Sequence, residues 1–419
     1  MAIQKPKGTA DLLPGVVEKW QFLESKAREL CHRFNYKEVR TPIFEQTELF
    51  TRGVGETTDI VQKEMYTFDD KGERSMTLRP EGTAGVVRSY VENKLYGEPD
   101  LTKLYYMGPM FRYEQPQAGR QRQFHQFGIE AFGSTDPSLD AEVVALGYAF
   151  TQDVGLKDVT VEINSVGTPE IRAVYREKLR EFFAPVKDQL CKDCQTRFDT
   201  NPLRILDCKK DVAFGEGAPE LLADLDDAAR THFEAVKSYL TKMGVPFQVN
   251  TRLVRGLDYY THTAFEYKAA GIGAIDTIGG GGRYNGLVEQ IGGPDQSGVG
   301  LGIGLERILL VLESQQANIP VPRPLDVYLI GLGEAAEQEV TTLLHQVRLN
   351  GLVAEKDYQG RKMKAQMKSA DRYQATYVAI LGDDELARGE ISVKAMETGE
   401  QVLVPLPELA AWIHKQGSK

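Results

Sequence analysis

The chain has few cysteines and no long apolar segment. Its 419 residues include four cysteines, too few for the disulfide framework of a small secreted protein. No stretch approaches the ~18 uncharged apolar residues of a membrane-spanning helix. The lysines near the start are not followed by the apolar segment of a signal peptide. The sequence therefore predicts a cytoplasmic protein without a membrane partner.

Basic residues are outnumbered by acidic ones. Lysine and arginine total 50 against 60 aspartates and glutamates, a net charge of −10. This balance disfavours a protein that coats nucleic acid, because counterion release rewards a basic surface, but it leaves room for a local basic patch. Hydrophobic residues at 42% and charged residues at 26% exclude intrinsic disorder. At roughly 150 residues per domain, the length predicts two or three domains.

Periodicity and chain breakers divide the sequence into segments. Apolar residues at three- and four-residue steps predict an amphipathic helix over residues 16–34. Residues 101–133 have the pattern strand, polar loop, strand, and residues 169–244 change to charged helical segments, which indicates an inserted helical module. Three prolines within residues 318–324 indicate an extended linker. The alternating strands and helices after it predict a small α/β domain with a largely parallel sheet.

Glycine is abundant, with 40 residues. Residues 298–305, GVGLGIGL, carry glycine at every even position. Because successive side chains of a strand point to opposite faces, one face is apolar and the other is bare backbone. The bare face predicts either a floor for a planar group such as a nucleobase or close packing against another segment. The GGGG at residues 279–282 offers backbone flexibility beside Arg283 but is not a Walker motif.

Residues 108–132 predict a hairpin that presents polar groups. Gln126 and Glu130 share a strand face opposite an apolar one, and a carboxylate there is costly unless it binds something polar. The connecting loop carries Arg120 and Arg122 and no acidic residue, which suits phosphate contacts. A solvated hairpin face is the alternative.

Three arginines outside that loop complete a candidate anion site. Arg112 leaves the first hairpin strand, Arg255 precedes two tyrosines, and Arg307 lies in the first turn of a predicted helix. The positive end of a helix dipole disfavours a cation there, so Arg307 suits an anion. The alternative is an ion pair with Glu306 or Glu313. With the bare glycine face, these arginines indicate a triphosphate site built on antiparallel strands.

These segments closely resemble the class II aminoacyl-tRNA synthetases and, within them, the histidyl-tRNA synthetase family of the bacterial type. The helix at 16–34 resembles the first class motif, residues 111–132 the second, and residues 298–307 the third. Residues 255–260, RGLDYY, and residues 279–284 are similar to stretches peculiar to the histidine family. The resemblance covers essentially the whole chain.

The resemblance implies a fold and an activity. The implied fold is an α+β catalytic core (1–317) with a mixed, mainly antiparallel sheet, a helical insertion (169–244), a linker (318–325) and a C-terminal α/β anticodon-binding domain (326–419). The implied enzyme is a histidine–tRNA ligase that activates L-histidine with ATP to histidyl-adenylate, releases pyrophosphate and transfers histidine to the 3′ end of tRNA(His). ATP is a substrate that carries Mg²⁺, and the first motif implies a homodimer.

The resemblance also implies roles for individual residues. The implied catalytic residues are Arg112 and Arg255. Histidine binding is implied for Glu81, Gly82, Thr83, Gln126, Glu130, Tyr259 and Tyr260. ATP binding is implied for Arg112, Glu114, Arg120, Phe124, Gly302, Gly304 and Arg307. Contact with tRNA is implied for Gln117, Arg122, Arg361, Lys362 and Lys364. Glu130 and Tyr260 would satisfy both imidazole nitrogens, which excludes side chains that lack such groups.

Two local features complicate this assignment. Arg255 and Tyr260 have opposite parity, so a continuous strand cannot direct both into one pocket; we predict an irregular turn at Gly256 with the strand beginning near Tyr260. Many relatives carry arginine where this chain has Gln115, so the resemblance does not imply that arginine's contact to the tRNA acceptor stem here.

A zinc site and a non-catalytic protein are the remaining alternatives. Cys191, Cys194 and Cys208 lack the fourth ligand that a structural zinc site requires, although His232 lies in the same module; the sequence therefore favours no metal site and a reduced cluster. A regulatory subunit of histidine biosynthesis would resemble the catalytic core, but such subunits typically lack the C-terminal domain and lose catalytic residues. The presence of Arg255 and of the chain beyond residue 324 favours the enzyme.

Overall fold

The computed structural model describes residues 2–56, 58–208, 210–270, 276–320 and 325–417. It divides into two compact units, Met1–Pro320 and Val321–Lys419. Residues 321–324 of the predicted linker (318–325) lie outside the described residues. Within the described ranges, no helix combines the length and apolar composition needed to cross a bilayer.

The first unit contains a large sheet, a small sheet and surrounding helices. Its α-helices are α1 (Val17–Arg33), α2 (Thr47–Val54), α3 (Thr83–Glu92), α4 (Pro137–Asp153), α5 (Pro169–Phe183), α6 (Lys192–Thr200), α7 (Asp227–Lys242), α8 (Leu287–Gln290) and α9 (Leu305–Ser314). Its strands are β1 (Lys37–Glu38), β2 (Phe44–Gln46), β3 (Tyr66–Asp69), β4 (Ser75–Leu78), β5 (Thr102–Phe111), β6 (Gln123–Phe132), β7 (Thr160–Ser165), β8 (Phe247–Val249), β9 (Thr261–Lys268), β10 (Thr277–Arg283) and β11 (Gly298–Gly304).

The large sheet has the strand order β1-β5-β6-β11-β10-β9-β7-β8. Every pairing from β5 to β7 is antiparallel, while the edge strands β1 and β8 pair in parallel with their neighbours. A second sheet, of order β2-β4-β3, is antiparallel throughout. The predicted mixed, mainly antiparallel sheet is therefore confirmed.

Strand parity places the apolar side chains on one face of the large sheet. Phe127 and Ile129 of β6, with Leu301 and Ile303 of β11, are buried in one core together with residues of α1, α4, α7 and α9. Burial of these side chains stabilises this face by roughly 25 cal/mol per Å² of apolar surface. The opposite face of the same strands remains available for a ligand.

The GGGG segment lies inside β10, between β9 and β11, so it is a central strand and not a flexible segment. A Cβ on Gly281 would lie 2.0 Å from the Gly300 carbonyl oxygen and 2.8 Å from the Phe265 ring. Glycine is required at this position because the neighbouring strand and the Phe265 ring occupy the space that a side chain would need. The adjacent Arg283 is fully buried, and its Nε donates to Asp140 at 3.0 and 3.1 Å, which gives it a structural role.

The predicted insertion (169–244) contains two kinds of packing. Residues of α5, α6 and the following loop form a separate apolar cluster around Tyr175, Leu179 and Phe183. Phe233 and Leu240 of α7 belong instead to the core beneath the large sheet. The insertion therefore has an apolar cluster of its own around α5 and α6.

The second unit is a sheet with helices packed on it. Its elements are β12 (Leu325–Gly331), α10 (Glu334–Leu349), β13 (Ala354–Lys356), α11 (Met363–Arg372), β14 (Ala375–Leu381), α12 (Asp383–Arg388), β15 (Glu390–Ala395), β16 (Gln401–Pro405) and α13 (Leu409–Gly417). The strand order is β13-β12-β14-β15-β16, with two parallel pairings followed by two antiparallel ones. The predicted α/β architecture is confirmed. The expectation of a largely parallel sheet is wrong, because β15 and β16 follow short connections and pair antiparallel.

Candidate active site

A slot crosses the open face of the large sheet. Gly128, Gly302 and Gly280 are direct partners on three adjacent strands, and paired residues share a face. The Tyr106 ring covers Gly128, where a Cβ would lie 2.3 Å from its Cζ. Arg255 covers Gly280, where a Cβ would lie 2.8 Å from Nη1. Between them a Cβ on Gly302 would meet only the Gln126 side chain, at 3.7 Å, so the backbone between ring and guanidinium is less crowded than at its two neighbours.

The glycine face of β11 divides into a packed half and an open half. A Cβ on Gly298 would lie 2.2 Å from the Tyr284 ring, and one on Gly300 would lie 1.8 Å from Glu130 Oε2. At Gly302 and Gly304 the nearest atoms would be 3.7 and 3.6 Å away, on flexible side chains. Close packing therefore explains Gly298 and Gly300, while the floor for a planar group stays a prediction for Gly302 and Gly304.

Glu130 is a fully buried carboxyl group at the closed end of this face. Its Oε1 accepts from Thr83 Oγ1 at 2.7 Å and from the Tyr106 hydroxyl at 3.3 Å. Its Oε2 accepts from the Tyr284 hydroxyl. Burial raises the pKa of Glu130 to about 8, although the Tyr284 and Thr83 hydroxyls act to lower it. The group therefore holds a proton at neutral pH and titrates just above it.

Glu81 lies at the amino end of α3. Its carboxylate oxygens accept from the backbone N–H groups of Thr83 at 2.7 Å and Ala84 at 2.8 Å, a favourable position for negative charge. Burial raises the pKa of Glu81, and the two N–H groups oppose that shift. Gly82 is needed here because a Cβ would lie 2.1 Å from the Tyr106 ring.

The segment before β9 is irregular, as the parity of Arg255 and Tyr260 predicts. Strand β9 begins only at Thr261, so the preceding turn can direct both side chains to one side. The Arg255 guanidinium carbon lies 5.7 Å from the centroid of the Tyr260 ring. Tyr259 and Tyr260 are both buried, with ring centroids 4.6 Å apart.

Glu266 connects two of the three arginines. Its Oε1 accepts from Arg255 Nη1, and its Oε2 accepts from Thr277 Oγ1 at 3.0 Å. The Thr277 carbonyl in turn accepts from Arg307 Nη1 at 2.7 Å. This chain of contacts fixes both guanidinium groups beside the slot.

Arg307 is held by carbonyl groups. Its Nε donates to the Gly119 carbonyl at 3.0 Å. Burial lowers its pKa, and nearby Arg120 lowers it further. Glu306 and Glu313 pair with other residues, so the ion-pair alternative is wrong. A partly buried cation beside another cation is suited to a polyanion.

The start of the hairpin loop adds two more cations. Arg112 Nε donates to the Pro80 carbonyl at 2.8 Å, and its guanidinium carbon lies 5.3 Å from the centroid of the Phe124 ring. The Glu114 carboxylate lies 3.3 Å from Arg120 Nε and 4.0 Å from Arg112 Nη1. The slot is thus surrounded by arginines on several sides.

Comparison with known proteins decides the family. Residues 8–308 match the family described as histidyl-tRNA synthetase, and residues 326–416 match the anticodon binding domain. A histidine–tRNA ligase from Geobacillus sp. (strain WCH70) is 56% identical over 421 residues, which cover 99% of this chain and 100% of the relative. One from Anoxybacillus flavithermus (strain DSM 21510 / WK1) is 57% identical over 411 residues, 97% of each chain.

The chain belongs to the histidyl-tRNA synthetase family.

The fold agrees with this assignment. The apo histidyl-tRNA synthetase of S. aureus has a TM-score of 0.85 at 45% identity, over 98% of this chain and 100% of that one. An ATP phosphoribosyltransferase regulatory subunit/histidyl-tRNA synthetase from Bacillus halodurans has a TM-score of 0.66 at 20% identity, over 91% and 99%. That second likeness shows the fold alone. The full-length relatives confirm the prediction of a class II histidine–tRNA ligase over that of a regulatory subunit.

Sequence reasoning missed several groups of this histidyl-tRNA synthetase site. They are Tyr106, Glu266, Thr277 and the hydroxyl of Tyr284. Tyr106 is the direct partner of Gly128, and Glu266 that of Gly280. Parity assigns each residue to a face of its own strand, but only the register between strands shows which glycine it adjoins. The signal available in the sequence was a polar side chain in β5 and another in β9, each on the face of its strand that would also carry the ligand site.

The tRNA residues predicted near the hairpin lie in its connecting loop, Gln117 near the tip and Arg122 at the base, where its carbonyl accepts from the Arg112 N–H at 2.9 Å. Gln117 and Arg120 pair through their backbones at 2.9 and 3.1 Å, which closes the loop. The Arg122 guanidinium carbon lies 3.9 Å from the centroid of the Tyr113 ring, and its Nε donates to the Glu114 carbonyl at 3.3 Å. Arg122 is therefore anchored on the loop, with its charge partly presented to solvent.

The tRNA residues predicted in the second unit differ among themselves. Arg361 is paired: its Nε lies 2.5 Å from Asp357 Oδ1, and its backbone N–H donates to the same carboxylate at 2.7 Å. This pairing lowers the charge that Arg361 offers to a ligand. Lys362 and Lys364 are exposed. The two lysines are therefore better placed for an anion than Arg361.

Aromatic side chains accompany this basic stretch. Tyr358 is 67% exposed, and Lys356 Nζ lies 4.9 Å from the centroid of its ring. Tyr373 is 45% exposed, and the Arg372 guanidinium carbon lies 5.8 Å from its centroid. Exposed aromatic rings beside cations are typical of surfaces on which single-stranded bases stack.

Proposed function

We propose that the chain activates L-histidine with ATP in the slot over Gly302 and transfers histidine to the 3′ end of tRNA(His) in the cytoplasm. The observation that carries this proposal is the open backbone at Gly302 and Gly304 with Arg112, Arg255 and Arg307 fixed around it. Bare backbone accommodates a flat adenine, and fixed guanidinium groups accommodate phosphates.

The first reaction is attack of the histidine carboxylate on the α-phosphorus of ATP, with pyrophosphate leaving. Catalysis consists of positioning and of stabilising the charge that grows on phosphoryl oxygens. Arg112 contacts the α-phosphate and the histidine carboxylate, Arg255 contacts the α-phosphate from the other side, and Arg307 contacts the γ-phosphate. Glu114, Arg120 and Phe124 complete the ATP site. Since Glu266 and carbonyl groups already orient the arginines, little reorganisation opposes the reaction.

Histidine lies at the closed end of the slot. Glu130 and Tyr260 contact the imidazole, and Glu81 with Thr83 and Gln126 contacts the α-ammonium group. Gly82 and Tyr259 line the pocket. The buried carboxyl of Glu130 supports this placement. A buried ionisable group that water does not solvate is well suited to share its proton with a bound ligand.

Mg²⁺ enters with ATP in this proposal, and the carboxylates at the loop fit it. Burial raises the pKa of Glu64, and the nearby Glu114 carboxylate raises it further. Two adjacent carboxylates are suitable ligands for a hard divalent cation. When bound, the ion neutralises phosphate charge; Glu64 and Glu114 would hold it.

Exchange between ATP and pyrophosphate tests the proposed activity directly. Purified protein is expected to catalyse the exchange with histidine and not with other amino acids, because Glu130 and Tyr260 are left unpaired by side chains without two ring nitrogens. Exchange that depends on glycine, threonine or proline would contradict the proposed pocket.

We propose that Lys362 and Lys364, with the exposed tyrosines beside them, contact the anticodon region of the tRNA. Lys362 precedes α11 and Lys364 lies in its first turn, so both ammonium groups lie near the helix end that attracts phosphate. Gln117 and Arg122 in the hairpin loop are proposed to contact the acceptor end.

Replacing Lys362 and Lys364 together by alanine is expected to weaken tRNA charging about tenfold at physiological salt, since fewer neutralised phosphates release fewer counterions. Exchange of pyrophosphate should remain unchanged. Arg361 is left intact because it orders the loop through Asp357. The matched control is Arg388→Ala with Lys415→Ala, two exposed cations of the same unit. Equal losses in charging and exchange would contradict an RNA role.

We propose a homodimer that uses the small sheet after α1. Phe44, Phe68 and Met76 share one face of β2, β3 and β4 by register. Phe44 is 52% exposed and Phe68 44%, with ring centroids 6.4 Å apart. An exposed aromatic pair on a short sheet is typical of an interface. A monomeric mass in sedimentation equilibrium would contradict this proposal.

A further inference from the structure

Three cysteines and an aspartate converge in the helical insertion. Cys191 immediately precedes α6, Cys194 lies in its first turn, and Cys208 and Asp211 follow the short helical turn Pro202–Ile205. One ligand atom from each lies within 4.8 Å of the other three. The Sγ atoms of Cys191 and Cys208 are 3.9 Å apart. We propose that these four residues form a structural zinc site.

The distance between two of the sulfurs fits a tetrahedral ion. Zinc–sulfur bonds of about 2.3 Å place two sulfurs about 3.8 Å apart around a tetrahedral centre. The Cys191–Cys208 separation of 3.9 Å matches that value. A disulfide requires sulfurs about 2.05 Å apart, so the two sulfurs are not bonded to each other and lie at the separation that a shared tetrahedral ion requires.

The sequence spacing supports the same conclusion. Cys191 and Cys194 are three residues apart, and so are Cys208 and Asp211. Paired ligands at this spacing, on two separate turns, are characteristic of structural zinc sites. Sequence reasoning disfavoured zinc because it found no fourth ligand and considered only His232. His232 instead lies 3.4 Å from Asp140, and Asp211 occupies the fourth position.

The electrostatics of the cluster favour a cation. The Asp211 carboxylate accepts the Cys191 backbone N–H at 3.0 Å. The cluster brings three thiol groups and one carboxylate together. Deprotonated thiols and a carboxylate carry negative charge, which a Zn²⁺ ion bound between them would offset in part.

Four protein ligands leave no open coordination position, so the ion is structural and not catalytic. It would join α6 to the loop after it, two segments that both contribute to the apolar cluster of the insertion. That loop also contacts the segment that carries Arg255: Asn201 Nδ2 donates to Asp258 Oδ1 at 3.1 Å. The zinc site thereby supports one wall of the proposed active site.

Metal content of the full-length protein tests the site. Protein stripped of metal, reconstituted with Zn²⁺ under reducing conditions and desalted should contain about one zinc per chain. Cys208→Ser should lower that ratio to about one tenth or less. Cys31→Ala is the matched control, since Cys31 is the remaining cysteine and lies in the core; it should retain the zinc. Less than one tenth of an equivalent in the wild type, or full retention in Cys208→Ser, would overturn the proposal.

Two measurements on folded protein remain decisive if Cys208→Ser does not fold. Reconstitution of the wild type with Co²⁺ should give the thiolate-to-cobalt charge-transfer absorption of a tetrahedral site, and Asp211→Cys should retain metal and intensify that absorption. Hydrogen exchange of residues 190–211 should accelerate at least about tenfold when zinc is removed. Absence of the cobalt band, or a disulfide in the metal-free native protein, would overturn the proposal.

Discussion

Arg255→Ala is expected to slow the formation of histidyl-adenylate about a thousandfold while histidine still binds. The guanidinium lies directly against Gly280, on the side of the slot opposite Tyr106, and is fixed by Glu266. Removal of one pre-oriented donor to charge that develops in a transition state costs about 10² to 10³ in rate, and loss of a phosphoryl-transfer arginine costs more. Single-turnover kinetics with ATP and histidine measure the step.

The matched control for this variant lies three residues away. Arg252 is exposed in the same irregular segment, so Arg252→Ala removes the same charge without touching the slot and should leave the rate unchanged. Arg255→Lys should recover only part of the rate, because lysine keeps the charge but loses the planar fork. If Arg255→Ala abolished histidine binding and left the chemical step intact, the proposed role in phosphoryl transfer would be wrong.

The sequence was sufficient to predict side-chain orientation where the alternation along a single strand decides it. Alternation in β6 and β11 separated a buried apolar face from a polar one, and the structure has that separation. The opposite parity of Arg255 and Tyr260 required a turn between them, and β9 begins after that turn. These inferences hold because side-chain direction alternates strictly along a strand, whatever the neighbouring strands are.

The sequence was insufficient where a contact depends on strand register or on a distant loop. Glu266 adjoins Gly280 of the neighbouring strand, and its contact with Arg255 follows from that register. Asp211 completes the cysteine cluster although it belongs to a different turn from Cys191. Arg361 is paired within its own loop. Composition and spacing do not report such contacts, because they depend on how separate segments pack.

The buried carboxyl of Glu130 gives the second prediction of large effect, a pH dependence of histidine binding. Burial raises the pKa of Glu130 to about 8, whereas the free imidazole has a pKa of about 6.5. In the proposed complex the carboxyl and the ring share one proton. Between about pH 6.5 and 8 the free protein and free histidine together carry that one proton, so binding requires no proton uptake or release and is tightest.

Above about pH 8 both free partners have lost the proton, so binding must take one up, and affinity should fall up to about tenfold per pH unit. Glu130→Gln removes the titrating group. We expect this alkaline limb to disappear and histidine affinity near pH 7 to fall about a hundredfold, because the amide cannot supply the shared proton or a counter-charge. Calorimetric titration with histidine from pH 6 to 9 measures both effects.

The control for that pH series is Glu142→Gln, which alters a carboxylate that pairs with Lys103 away from the slot. It should keep the wild-type profile, including the fall near pH 8. Deprotonation of the histidine α-ammonium group lowers the affinity equally in the wild type, Glu130→Gln and Glu142→Gln, so this loss cancels in the comparison. An alkaline limb that persists in Glu130→Gln would assign the titration to another group and would remove Glu130 from the imidazole site.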